Sequence, residues 1–384
     1  MHATLEGLGL GDGGVSKGSV LAATLILLLK EGASHAASLT FAFFTAARLD
    51  SEIRAWRLFA DVANDFGLAL ELAAPRLSGG RRNVFIIVSA VANACKAVCG
   101  VAAGATRVAV SAHFARASAR GNQGGGGAAA VAEVAAKEGT QETAVTLLGL
   151  VLGALLAKAL NASHAAQWTA FSLLTLLHVL ANAAAVRSLA LETVSRTRAK
   201  ALYDAYANKK NLPSPDAARV GERLWPVQWA GGGERSDGGG LRLGVPLNAF
   251  AEAMKGRDWT RAVVLVRPSK GQKVTSLNPS KKLLAKKGVS LLSQVLMEAD
   301  GGEDSDFFLL LLLKQGDTAL VAFGADASPR TMLAGWAAGA CSMDSCDTAI
   351  FLKEAEEAGW DLDTTALEEE GFRLRLEGGG KKMK

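Results

Sequence analysis

Cysteine is scarce in this chain: four in 384 residues, at positions 95, 99, 341 and 346. Four thiols so placed make no disulfide framework, and without a CxxC pair the usual zinc spacing is missing. They read as reduced, buried thiols in a reducing compartment. Histidine is thin as well. His2, His35, His113, His164 and His178 form no HExxH and no His–carboxylate spacing, so no metal ligands are assigned. Phosphate loops are no better represented. "GLGLGDGG" at 7–14 holds a GxGxxG-like run with no strand pattern ahead of it, and "VSKGS" puts lysine before glycine, the wrong order for a P-loop. No secretory signal opens the chain, and "MHATLEGLGLGDGG" lacks the Arg/Ser-rich character of an organelle transit peptide. A formal charge of +5 does not signal nucleic acid, though it permits contact with an anionic membrane surface. No catalytic residue is assigned.

What is present is alanine, leucine and valine. Apolar residues make up 49% of the chain and aromatics only 6%, a balance that favours closely packed helices. Three segments come near the roughly 20 residues a helix needs to cross the hydrocarbon core. They are Val84 to Thr106, interrupted only by Lys96, then Gln141 to Leu160, then Trp168 to Val186, whose one ionisable group is His178. Arg107, Arg116, Arg120 and Lys137 lie between the first and second, and Arg187, Arg196, Arg198 and Lys200 follow the third. Residues 161–167 carry neither Lys nor Arg. A helical hairpin with its tight turn outside and its basic flanks inside obeys the positive-inside rule, with Arg81–Arg82 discordant. The alternative is a buried hairpin in a soluble Ala-rich bundle. His178 on its apolar helix reads as a satisfied core group.

Upstream, residues 51–74 read as an amphipathic helix stopped by Pro75. Phe59, Val62, Phe66 and Leu70 form its apolar stripe, and Arg54, Arg57, Asp61 and Asp65 a solvated salt-bridge face. "GNQGGGG" at 121–127 is a flexible insertion.

The predicted organisation is a helical domain over 1–210, a linker over 211–240 holding Trp225 and Trp229, and a small α/β domain over 241–384. The fold class is mainly α, a helical bundle with two or three membrane-depth helices. In the last part, "FFLLLLLKQGDTALVAFG" at 307–324 reads as two buried strands turning around Gln315–Asp317. A helix follows, with Ser328 as N-cap and Pro329 at its first position. "GFRLRLE" at 371–377 alternates like another strand, and the "GGGKKMK" tail reads as disordered.

The stretch "AAKEGTQETAVTLLGLVLG" at 135–153 sets Lys137, Glu138, Gln141 and Glu142 against a long uncharged run. Gly139–Thr140 reads as a helix break and N-cap, which would put Gln141 and Glu142 in a first turn. Gly149 and Gly153 make a GxxxG spacing, a weak signal among 42 glycines. Lys96, Gly100, Gly104 and Arg107 share one face of the first apolar segment. A lysine at that depth must pair or snorkel, and Glu138 or Glu142 is its expected partner. Lys96, Arg107, Lys137, Glu138, Gln141 and Glu142 are therefore the candidate ligand-binding residues, with a structural ion pair as the alternative.

Four blocks, "DSEIRAWRLFADVANDFGLALELAAP", "ACKAVCGVAAGATRVAVSAHFA", "AAKEGTQETAVTLLGLVLG" and "LHVLANAAAVRSLALETVSRTR", resemble in order and spacing the Root UVB Sensitive family. The match runs over roughly residues 5–200, and the poly-Gly and Ala insertion at 124–130 departs from the family pattern. "LEGLGLGDGG" resembles the interior of the family domain, which favours a truncated N-terminus. The resemblance implies a helical, membrane-associated protein whose relatives act in complexes with each other. It further implies links to UV-B response, early development, vitamin B6 homeostasis and auxin transport, with plastid localisation for some members. It implies no established reaction.

Three readings follow. The first is a membrane-embedded scaffold that binds lipid and a protein partner, either a family member or a second copy. The second is an anion- or vitamer-binding or transport protein using Lys96 or Arg107. The third is a pyridoxal-phosphate-type enzyme with Lys96 or Lys137 as Schiff-base lysine. No loop rich in Gly, Ser and Thr offers the phosphate cradle the third requires, so no cofactor is assigned, and the scaffold is the expected role.

Overall fold

The computed structural model describes residues 17–49, 51–79, 81–121, 128–160, 163–226, 240–243, 245–246, 259–266, 274–277, 306–313, 318–340, 348–367 and 373–374. It divides into two compact units: residues 1–189 with 223–227, and 190–222 with 228–384. The GxGxxG-like run, the glycine-rich insertion at 122–127, Trp229, the turn at 315–317, Cys341, Cys346 and the tail lie outside the described residues.

The first unit is built from long helices: α1 Lys17–Leu49, α2 Ile53–Ser78, α3 Arg82–Gly121, α4 Ala128–Leu160 and α5 His164–Ser188. Alanine-rich runs let α1, α2 and α3 approach closely. Ala60, Ala92 and Ala102 are fully buried, and Phe41, Leu49 and Trp56 close a small core around them. Phe41, Trp56, Phe59 and Trp225 add edge-on ring contacts at 5.4 to 5.7 Å, an arrangement that ring quadrupoles favour. α2 and α3 approach closely at Gly67, where a Cβ would stand 2.9 Å from the Ala92 carbonyl oxygen.

Two predicted helix limits differ from the structure. Pro75 does not stop α2, which runs on to Ser78 and ends at Gly79 with φ of 52°. The missing Pro N–H costs one bond, but Ala74 and Ser78 are buried and the Ser78 hydroxyl donates to the Pro75 carbonyl, so packing carries the turn through. Nor is there a break at Gly139–Thr140. Thr140 Oγ1 donates to the Ala136 carbonyl at 2.9 Å inside a continuous α4, so it is no N-cap, and Gln141 and Glu142 sit in mid-helix. A mid-helix glycine costs only about 1 kcal/mol, which the ion pairs described below offset from either side. α1 was not foreseen as an element, because Lys30, Glu31 and His35 divide its apolar run.

α5 starts as a capped helix, the Ser163 hydroxyl accepting from the Ala166 amide at 3.3 Å. Among the described residues, three helical stretches are long and apolar enough to cross a membrane: Asn83–Ala117, Ala130–Leu160 and His164–Ser188. They contain the three segments anticipated from hydropathy.

The second unit holds α6 Arg196–Ala207, α7 Pro215–Ala218, α8 Pro329–Ala340, α9 Thr348–Glu357 and strands β1 Thr193–Ser195, β2 Gly240–Leu243, β3 Trp259–Val266, β4 Val274–Leu277, β5 Phe307–Leu313, β6 Thr318–Gly324, β7 Asp361–Ala366 and β8 Arg373–Leu374. A sheet runs β2-β6-β5-β3-β4, with β8 also on β6, and β1 pairs with β7 in parallel. The hairpin read from "FFLLLLLKQGDTALVAFG" is present as antiparallel β5 and β6, with Leu310 opposite Val321. Ser328 caps α8 as expected, its hydroxyl accepting from the Thr331 amide. Phe308, Leu310, Val321 and Phe323 pack under Leu333, Trp336 and Ala337 of α8. Gly335 allows that approach, since a Cβ there would meet three core side chains at 2.9 to 3.2 Å. The chain is thus mainly α, with a small strand-bearing unit toward its C-terminus.

Candidate functional site

The helical unit buries some charged groups beside its apolar core and exposes large apolar side chains. On α2, Arg54 is 2% exposed and Asp65 8%, whereas Phe66 is 56% and Leu77 54% exposed. The solvated salt-bridge face expected on α2 is not what forms: Arg54 and Asp65 are buried, Arg54 and Arg57 donate to backbone carbonyls and Asp65 pairs with His178, while Phe66 of the apolar stripe faces out. α4 carries this further. None of its most apolar window is buried, and Leu147, Leu148, Leu150, Leu152 and Leu155 stand exposed around its circumference. Monomeric proteins in water do not leave such surface open.

Ion pairs fix the helices to one another. Arg107 on α3 reaches two carboxylates of α4: its Nε lies 3.2 Å from Glu138 Oε1 and one terminal nitrogen 2.8 Å from Glu142 Oε2. One turn on, Ser111 Oγ donates to the other Glu138 oxygen at 3.1 Å. Arg107 and Ser111 are four apart on α3, as Glu138 and Glu142 are on α4, so the two helices are zipped over a full turn each. Two carboxylates face one guanidinium, which leaves the cluster with an excess of negative charge.

The remaining candidate cations lie elsewhere. Lys96 pairs with Glu71 of α2 at 2.5 Å, not with Glu138 or Glu142. The reason is distance, since Lys96 sits eleven residues, or about 16 Å, along α3 from Arg107, too far for one side chain to bridge. Lys137 pairs with Glu133 on its own helix, with both side chains more than 60% exposed. Gln141 is exposed beside the Arg107 cluster. The structure therefore brings together Arg107, Glu138 and Glu142, and separates Lys96 and Lys137 from them.

Three polar contacts escaped sequence reasoning. His178 has a partner but is no core group: its Nδ1 lies 2.9 Å from Asp65 Oδ2 of α2, with the imidazole 45% exposed and the carboxylate 10%. Arg54 donates from Nε to the Val186 carbonyl at 2.9 Å. Arg57 donates to the Ala103 carbonyl of α3 at 3.4 Å. The only available sequence signal was the polar stripe on α2, whose partner helices spacing alone does not name. Among the described residues, no group of three or more His, Cys, Asp or Glu is placed to hold a metal ion.

Comparison with known proteins agrees with this architecture. Residues 1–210 match a family model described as the vitamin B6 photo-protection and homoeostasis domain. The chain is 34% identical over 217 residues to RUS family member 1 of Dictyostelium discoideum, covering 56% of this chain and 38% of that protein. It is 32% identical over 229 residues to protein root UVB sensitive 3 of Arabidopsis thaliana, covering 60% and 48% respectively. Root UVB sensitive 2, chloroplastic, of the same plant is 26% identical over 282 residues, covering 72% and 56%. The chain thus spans between about a third and somewhat over half of these relatives' lengths. No solved structure matches. With more than half of its length under the family model, the chain belongs to the RUS, or root UVB sensitive, family.

Proposed function

We propose that this chain is a membrane-embedded helical scaffold, placed by its family in UV-B response and vitamin B6 homeostasis. The observation that carries the proposal is α4, whose apolar half is exposed around its circumference. Lipid is the solvent that such a surface fits, and a hairpin of α4 and α5 spans about 35 Å by helical rise, enough for the hydrocarbon core. The ion pairs between helices then act as fasteners. Arg107 with Glu138 and Glu142 fixes α4 to α3 at one end, and Lys96 with Glu71 fixes α3 to α2 further along.

Lys96, Arg107 and Lys137 each face a carboxylate within 4 Å, which favours ion-paired fasteners over a site for an anionic vitamer or a Schiff-base cofactor. The protein partner is a family member or a second copy, by the family's reading as proteins acting in complexes. A plastid membrane is the proposed location, because one relative is named chloroplastic.

Extraction with alkaline carbonate tests the placement. The protein is expected to stay in the membrane pellet and to leave it only with detergent. Full release into the soluble fraction would overturn the scaffold reading.

A further inference from the structure

The two ends of the helical unit carry charge differently. α2 and α5 run antiparallel: Arg54 meets the Val186 carbonyl, Asp65 meets His178, and the Arg76 guanidinium stands 6.0 Å over the Trp168 ring. By helical rise, Arg54 to Arg76 is about 33 Å, Arg82 to Arg107 about 37 Å and Glu142 to Lys158 about 24 Å, lengths that bracket a hydrocarbon core. At the first end the arginines have protein partners. Arg54 and Arg57 donate to carbonyls, and Arg107, one turn beyond the Ala103 that Arg57 reaches, holds Glu138 and Glu142.

The other end holds the connections from α2 to α3 and from α4 to α5. Gln167 Nε2 donates to the Leu160 carbonyl at 3.3 Å, tying the end of α4 to the start of α5. Arg76, Arg81 and Lys158 are exposed here. The sequence has no Asp or Glu over residues 72–106 or 143–188, and among the described residues none of these three cations has a carboxylate partner. Arg81 and Arg82, discordant with the positive-inside rule, belong to this end. Half-buried Trp168 beside Arg76 supplies the amphipathic ring that suits headgroup depth.

We propose that this end is a docking surface for anionic phospholipid headgroups. A lipid phosphate supplies the negative charge that the protein withholds, and a guanidinium fork can grip two of its oxygens. Lys158 reaches the same level by extending from the last turn of α4. A zwitterionic headgroup brings a cation of its own and gains less. The arginines that break the positive-inside pattern therefore serve to hold lipid.

The surface rests on the bilayer placement proposed above, and flotation scores that placement separately. One portion of the full chain is reconstituted into phosphatidylcholine vesicles and floated. A second stays in nonionic detergent with equal amounts of phosphatidylglycerol and phosphatidylcholine, and native mass spectrometry counts the lipids it retains. Phosphatidylglycerol is expected to be retained in preference. Arg76→Gln, Arg81→Gln and Lys158→Gln are each expected to lower that preference by up to about fivefold, and the triple variant to abolish it. Lys137→Gln, at the opposite end of the unit where Glu133 already pairs the ammonium, is expected to leave it unchanged. Inorganic phosphate, added at constant ionic strength, is expected to displace none of the retained lipid. Protein that fails to float would overturn the bilayer placement and this surface with it. Protein that floats but shows no preference for phosphatidylglycerol, or a folded triple variant that keeps the preference, would overturn the lipid surface alone. Displacement by inorganic phosphate would do the same and assign the cluster to a soluble anion. If the triple variant does not fold, the wild-type preference and Arg81→Gln, at an exposed position ahead of α3, decide.

Discussion

Arg54 and Val186 are 132 residues apart in sequence, yet the guanidinium Nε donates to the Val186 carbonyl at 2.9 Å. A second nitrogen of the same side chain reaches the Arg187 carbonyl at 3.3 Å. Both acceptors belong to the last turn of α5, where the dipole is negative, and the Val186 carbonyl also accepts from the Leu189 amide at 3.3 Å. A side chain of α2 therefore closes the end of α5, and it does so almost wholly buried.

Arg54→Ala removes that closure, leaving the Val186 carbonyl with the Leu189 amide alone and the Arg187 carbonyl without the guanidinium. The expected loss is about 2–3 kcal/mol, the range for hydrogen bonds that involve a charged group. Arg54→Lys is expected to recover only part, because an ammonium lacks the planar fork that serves two acceptors. Thermal unfolding in detergent micelles, followed by far-UV circular dichroism, measures both. Equal midpoints for wild type and Arg54→Ala would refute the capping role.

Gly67 sets the spacing of α2 and α3. A Cβ there would lie 2.9 Å from both the Ala92 carbonyl oxygen and Lys96 Cγ, and 3.5 Å from Cys95 Cβ. The lysine chain can yield, but the backbone carbonyl cannot. Gly67→Leu is therefore expected to push the helices apart and to destabilise the unit by about 1–3 kcal/mol, as overpacking does. The same micelle melts read the effect. Gly100→Leu on α3 serves as the control, because nothing lies within 4 Å of a Cβ at that position.

Much of this architecture is legible in the sequence, for a physical reason: a run of about 20 apolar residues has few other places to go. Val84–Thr106, Gln141–Leu160 and Trp168–Val186 are therefore recoverable from hydropathy. The β5–β6 hairpin and the Ser328 cap are recoverable from local chemistry too. Tertiary decisions are not. Pro75 and Gly139–Thr140 carry stop signals that packing and the Arg107 pairs override. The stripe Arg54–Arg57–Asp61–Asp65 is plain in the sequence, but period alone cannot say whether a polar face looks at water or at other helices. Lys96 was assigned the wrong acidic partner because Glu71 sits on a helix whose register against α3 depends on Gly67.

In the second unit, Arg330 holds Glu356 with two nitrogens, at 2.6 and 3.1 Å, and Asp363 with a third at 3.2 Å. Hydrogen bonding from Arg330 keeps the Glu356 carboxyl below the ordinary range. A carboxyl depressed in the folded state stabilises fully above its unfolded value, near about pH 4.3, and that stabilisation fades as pH falls through the lower folded value. Because the pair is exposed, the effect is expected to stay within about 1 kcal/mol. Amide exchange on α8 and α9, measured while the pH is lowered from neutral, is expected to show this acid limb in wild type and its absence in Arg330→Ala. An identical limb in both would assign it to other carboxylates.

Arg107, Glu138 and Glu142 make a stricter test, because there the sign of the charges can be reversed while the Ser111 hydroxyl on α3 is kept. Arg107→Glu places three carboxylates together and is expected to release that end of α4. Adding Glu138→Arg and Glu142→Arg restores opposite charges with the polarity reversed, and so restores the contact. Each partly exposed pair is worth no more than about 1 kcal/mol, so global melting is a poor reporter. Distance is a better one. Spin labels at Val108 and Gly139 are expected to move apart in Arg107→Glu and to return toward the wild-type separation in the triple variant. If the single variant leaves the distance unchanged, α4 is held by its hairpin with α5 alone. If the triple variant fails to restore a lost contact, these residues do more than attract, and the excess negative charge of the native cluster becomes the property to explain.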